Sequence, residues 1–106
     1  MPDTGDNQYD YKKLDSLLNS PIRLAIVSLL VSTEEADFTF IRDKIGATDG
    51  NLSRHLLKLE ESGLIEVRKD FDGKKPVTYQ KVTDEGRKAL REYIARLEEL
   101  ILSIKK

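Results

Sequence analysis

An amide, a guanidinium and an ammonium stand at Asn51, Arg54 and Lys58, at a spacing that would line them up along one face of a helix. On a wheel of about 100° per residue with Asn51 at zero, Arg54 falls at about 300° and Lys58 at about 340°. Leu52, Leu56 and Leu59 cluster within about 60° of arc, with Arg54 and Lys58 more than about 100° from the centre of that stripe. One face of such a helix is apolar, and the other carries hydrogen-bonding groups that match base edges. Arginine can donate to guanine O6 and N7 together, asparagine suits adenine N6 and N7, and lysine fits phosphate or guanine. Gly50 keeps the first turn slim, so the helix end can approach a duplex closely.

Other chemistries lack their groups. The chain has no cysteine and one histidine, His55, which excludes disulfides, thiolate sites and multi-histidine metal centres. Ser53 and His55 would point about 160° apart on a helix and cannot form a nucleophile–base pair. His55 is expected to pack beside the core or to touch a phosphate. Asp70-x-Asp72-Gly73 is similar to the start of a calcium loop but lacks the later oxygen ligands and the closing glutamate. No glycine-rich phosphate loop precedes a helix. The expectation is a protein with no catalytic residues, no metal and no cofactor.

The elements that must hold the polar face can be read from periodicity and capping. Residues 1–8 are polar and turn-rich and are expected to form a mobile arm. Tyr11, Leu14, Leu17 and Leu18 suit a short amphipathic helix. Ser20 and Pro21 then start another, as N-cap and first helical residue. Ile22, Ala25, Ile26, Leu29 and Leu30 form one stripe of it, and Leu24, Val27 and Val31 a second, which predicts a central core helix. Phe38 is placed in a brief extended stretch, with Thr39 capping a short helix that carries Phe40, Ile41 and Ile45. Gly46 ends that helix, and only Ala47 separates it from Thr48, the expected cap of the helix over residues 49–62. So tight a glycine turn predicts a helix-turn-helix unit.

After Gly63 the pattern alternates: Ile65, Val67 and Phe71 on one face of a strand, Glu66, Arg68 and Asp70 on the other. Residues 72–76 supply a hairpin loop, with Lys74 and Lys75 at a tip that could reach phosphates or the minor groove. Val77 and Tyr79 open the return strand, and Thr83 caps a last helix. Charge follows this division: residues 1–50 hold 5 basic and 9 acidic residues, residues 51–91 hold 10 and 7, and the whole chain of 106 residues carries −1. A basic segment within an acidic chain points to a local anion-binding surface.

Thr48 to Leu56, then Leu59-Glu60-Glu61-Ser62-Gly63-Leu64-Ile65, the Gly73-Lys74-Lys75-Pro76 loop, and Val82-Thr83-Asp84-Glu85-Gly86-Arg87 together resemble the winged helix-turn-helix transcriptional regulators. The likeness is greatest to small MarR-like and ArsR-like proteins and covers residues 14–97. It implies a mainly α fold with a small β-hairpin, a recognition helix in the major groove and a wing alongside. By position, Thr48, Asn51, Ser53 and Arg54 match the DNA-facing part of that helix, and Lys74 and Lys75 match the wing tip. Two departures stand out. The thiolate sensor sites of ArsR-like metal regulators have no counterpart, and the Asp-x-Arg wing of MarR-like proteins is replaced by Asp72-Gly73-Lys74.

In the last helix Leu90, Ile94, Leu97, Ile101 and Ile104 alternate spacings of four and three, with Tyr93 and Leu100 widening the seam. So long an apolar stripe on so small a domain predicts a two-fold homodimer, to which Tyr11 and Leu14 could add. The expected organisation is an arm over 1–8, a winged helix-turn-helix DNA-binding domain over 9–83 and a dimerisation helix over 84–106. The expected partner is double-stranded DNA carrying an inverted repeat. No apolar run is long enough to span a bilayer, so the expected location is the cytoplasm, with no membrane partner. A winged helix serving only protein–protein contacts is the alternative, and a ligand cleft at the dimer interface is a third possibility that no polar set here identifies.

Overall fold

A computed structural model describes residue 10 and residues 14–104. Helix α1 (Pro21–Thr33) is capped by the Ser20 hydroxyl, which accepts from Arg23 N, with Pro21 in the first turn where its missing amide costs nothing. Strand β1 (Glu35–Asp37) follows. Helices α2 (Phe38–Ile45) and α3 (Asp49–Glu61) form the helix-turn-helix. Strands β2 (Ile65–Asp72) and β3 (Lys75–Val82) make the wing, and α4 (Asp84–Ile104) closes the chain. The three strands form one antiparallel sheet in the order β1-β3-β2.

The core lies where α1 meets the helix-turn-helix, the sheet base and the first half of α4. Ile26, Val27 and Leu30 of α1, Ile41 of α2, and Leu52 and Leu59 of α3 are fully buried, with Leu56, Ile65, Val82, Leu90 and Tyr93 nearly so. Ile22, Leu24, Leu29 and Val31 are partly buried against the same cluster, as expected of a helix apolar on most sides. Gly86 sets how closely α4 crosses the sheet. A Cβ there would run into the Leu64 carbonyl oxygen and lie 2.7 Å from Val82 Cγ2. Thr83 locks the same junction: its hydroxyl donates to Gly63 O at 2.7 Å and accepts from Gly86 N at 3.0 Å.

Several sequence expectations are corrected. Residues 14–20 form turns rather than a helix, because the Asp15 carboxylate accepts from Leu17 N at 2.7 Å and Pro21 begins α1 immediately after. Tyr11 and the arm over 1–8 lie outside the described residues. Asp37, not Thr39, caps α2, accepting from Phe40 N at 2.7 Å; the extended stretch is residues 35–37, which pair with β3, and Phe38 is already helical. The hairpin loop shrinks from 72–76 to Gly73 and Lys74, because the ladder runs on to Asp72↔Lys75. Gly73 has φ +66° and Lys74 does not share the positive region, the pattern of a type II′ turn. Phe71 pairs with Pro76 beyond the end of the core and is 68% exposed. Leu90 and Tyr93, assigned by the seam to a partner chain, are instead buried in this chain's own core, and Tyr93 Oη donates to Asn19 Oδ1 at 3.3 Å.

Candidate nucleic-acid interface

Leucine burial orients α3. With Leu52, Leu56 and Leu59 turned into the core, Gly50, Asn51, Arg54 and Lys58 are all exposed. Its start is fixed twice. Thr48 Oγ1 accepts from Asn51 N at 3.3 Å, and the Asp49 carboxylate in the first turn accepts from Arg42 Nη1 of α2 at 3.1 Å. The Asp49 position also suits the positive end of the helix dipole. Gly46, at φ +78°, lets the chain reverse between the two helices. Hydrogen bonds to Asp49 and then Asp43, together with their charges, raise the Arg42 pKa and hold the guanidinium between the two helices.

On the exposed face Arg54 Nη2 donates to Asn51 Oδ1 at 2.6 Å. The sequence pairs these residues only by spacing, and the structure joins them. The bond holds the guanidinium out along the helix and leaves both Asn51 amide hydrogens for an acceptor. Lys58 lies one turn further on and makes no ion pair among the described residues. A Cβ at Gly50 would meet nothing within 4 Å. The chain's own packing therefore does not require a glycine there. Ser53 is exposed, on the flank of the helix away from Asn51.

The wing projects from the sheet as the β2–β3 hairpin. Lys74 occupies its two-residue tip, and Lys75 is the first residue of β3; both are exposed. Arg68, which by alternation alone is an ordinary strand-edge charge, makes a contact network near its base. Its guanidinium donates to Glu35 Oε1 of β1 at 3.0 Å and to Asp70 Oδ2 at 2.6 Å, and it lies 4.5 Å from the centre of the Tyr79 ring. Alternation alone could not show this, because Glu35 belongs to a strand that only the fold brings alongside. The Phe71 amide and Arg68 hold the Asp70 carboxyl below its ordinary pKa, so it stays charged through the physiological range.

A buried recognition-helix base, an exposed polar face and a hairpin beside it define a winged-helix DNA-binding protein. A family profile described as "Winged helix DNA-binding domain" matches residues 22–101, and the chain belongs to that family. An uncharacterized protein of Methanocaldococcus jannaschii is 38% identical over 88 residues, 83% of this chain and 96% of that protein. Among solved structures, the transcriptional regulator homologue of Pyrococcus horikoshii OT3 aligns with a TM-score of 0.85 at 26% identity, covering 95% of this chain and 100% of that one. The transcriptional repressor BigR from Xylella fastidiosa aligns with a TM-score of 0.60 at 30% identity, covering 74% of each chain. The resemblance carried by the motif residues is thus borne out, and the fold and family are those of DNA-binding transcriptional regulators. No helix among the described residues is long and apolar enough to cross a membrane.

Proposed function

We propose that this chain works as a cytoplasmic, homodimeric, sequence-specific regulator of repressor type, with no enzymatic activity of its own. Asn51, Arg54 and Lys58 read the major groove, while Thr48 and Ser53 contact its phosphate walls and Gly50 admits the helix end. Lys74 and Lys75 hold the backbone beside the wing. The observation that carries this reading is the Asn51–Arg54 pair on the exposed face of a helix whose opposite face is buried. Two base-reading side chains are thereby presented together on a rigid support.

Residues 9–83 are assigned to DNA binding and 84–106 to dimerisation, and the first half of α4 also completes the core. After Tyr93 the helix has little of its own domain to cover: Ile94, Ile101, Leu102 and Ile104 are exposed, and Leu97 and Leu100 are half-covered. A two-fold copy would bury that stripe, to which Leu14 could add, and would present two α3 helices to successive major grooves. Selection of bound duplexes from a random pool, with the mass of each complex measured by sedimentation, tests this. The expected product is an inverted repeat with half-sites about 10 base pairs apart, centre to centre, or a multiple of that, bound by two chains. Enrichment of an isolated half-site bound by one chain would rule the dimer out.

A further inference from the structure

Beside the base-reading face, Arg23 of α1 meets His55 of α3 across 32 residues of sequence. The Arg23 side chain is held at two points: Nε donates to Leu17 O at 2.7 Å, and Nη1 lies 3.0 Å from His55 Nδ1. A guanidinium has no acceptor, so Nδ1 takes the hydrogen and the imidazole proton sits on Nε2. Nε2 has no partner among the described residues. The two residues help line an open cleft of about 360 Å³, completed by Arg54, Leu57, Lys58 and Glu61.

We infer that this cleft seats one backbone phosphate of bound DNA, with Arg23 and the His55 Nε2–H as donors that extend the α3 interface onto α1. The inference rests on the exposed face of α3 being the DNA face. Charge supports it: three basic side chains, Arg23, Arg54 and Lys58, surround the imidazole, and Glu61 is the one carboxylate among the residues lining the cleft. Desolvation first, then Arg23 and Arg54, push the His55 pKa below its ordinary value. An oxyanion would relieve that excess of positive charge and accept from both donors in a charge-assisted pair. Neither residue reads a base, so the contact contributes affinity and register rather than sequence preference. The phosphate favours imidazolium: Nδ1 then takes a proton, Arg23 Nη1 turns from it to the phosphate, and affinity rises as pH falls from the His55 pKa of the complex towards that of the free chain.

His55 is the chain's single histidine, so its ring resonances report on the seat without ambiguity. The test is an NMR pH titration of His55 in the full chain, free, with a bound duplex and with inorganic phosphate alone. Fluorescence anisotropy of the same duplex, run alongside for the wild type, Arg23→Gln and His55→Gln, supplies the affinities. The expected results are a raised His55 pKa in the DNA complex and a duplex affinity for Arg23→Gln lower by about three- to tenfold, with a salt slope shallower by about one. His55→Gln should lose the strengthening at low pH. Duplex binding that leaves the His55 titration unmoved would overturn the seat while leaving the DNA reading intact, whatever the variants do. A shift with inorganic phosphate but none with duplex would overturn it too. Failure of the wild type to bind any duplex at low salt would remove the DNA reading and the seat together.

Discussion

The recognition helix and the wing carry similar cationic groups but are held by unlike means. Helix α3 is clamped along its whole length: Leu52 and Leu59 are 0% exposed, Leu56 is 5% exposed, and Arg42 and Thr48 fix its start. Beyond Val67 every residue of β2 is exposed, with Phe71 at 68%; the hairpin is held only near its base, by buried Ile65 and Val82, by the pairing of β3 with β1 and by the Arg68 contact with Glu35, Asp70 and Tyr79. A helix fixed by core packing can place Asn51 and Arg54 accurately enough to distinguish bases. A hairpin held at one end suits contacts that need charge and reach more than position. The proposed function therefore gives specificity to α3 and added affinity to the wing.

The largest expected effect comes from breaking the helix side. Arg54→Ala should cost about 1–3 kcal/mol on the selected site and relax preference at one base position, read by anisotropy against single-base variants of that site. Gly86→Ala attacks the packing beneath both regions, since the added methyl meets the Leu64 carbonyl oxygen and Val82. It should destabilise the fold by about 1–3 kcal/mol in urea unfolding monitored by circular dichroism. Lys74→Ala, on the wing side, should weaken every duplex alike and make the salt slope shallower by about one. Arg68→Ala should leave global unfolding nearly unchanged yet speed amide exchange in the wing, because its ion pairs are exposed. Equal loss of base preference in Lys74→Ala and Arg54→Ala would erase the distinction between the two regions.

The smallest effect concerns pH. His55 has a folded pKa below 6.5, mainly through desolvation, so between its folded and unfolded values the unfolded chain binds more protons. The stability this gives is present above about 6.5 and is lost as pH falls through the folded value. Melting curves across that range should show a shallow acid-side decline that His55→Gln flattens.

Local chemistry made much of this legible in the sequence. Ser20-Pro21, Gly46, Thr48 and Thr83 mark element ends because each acts on backbone groups within a few residues, and the structure finds all four in those roles. The leucine period fixed which face of α3 is buried. What stayed hidden depends on partners distant in sequence. Strand β1 is three residues long and exists by pairing with β3. Glu35 and Arg68 are 33 residues apart, and Arg23 and His55 are 32 apart. Phe71 followed the alternation of its strand correctly, but the core ends before the strand does. The seam of α4 was sound as a period, yet periodicity does not say whether Leu90 and Tyr93 meet their own domain or a second chain.

The most direct test of DNA recognition by this face is anisotropy of a labelled mixed-sequence duplex, titrated with protein at several salt concentrations. The expected result is binding whose logarithmic affinity falls linearly with the logarithm of salt, by about 0.9 per phosphate neutralised and with several phosphates neutralised in the complex. No binding even at low salt would contradict it, and would turn the exposed face of α3 towards a protein partner.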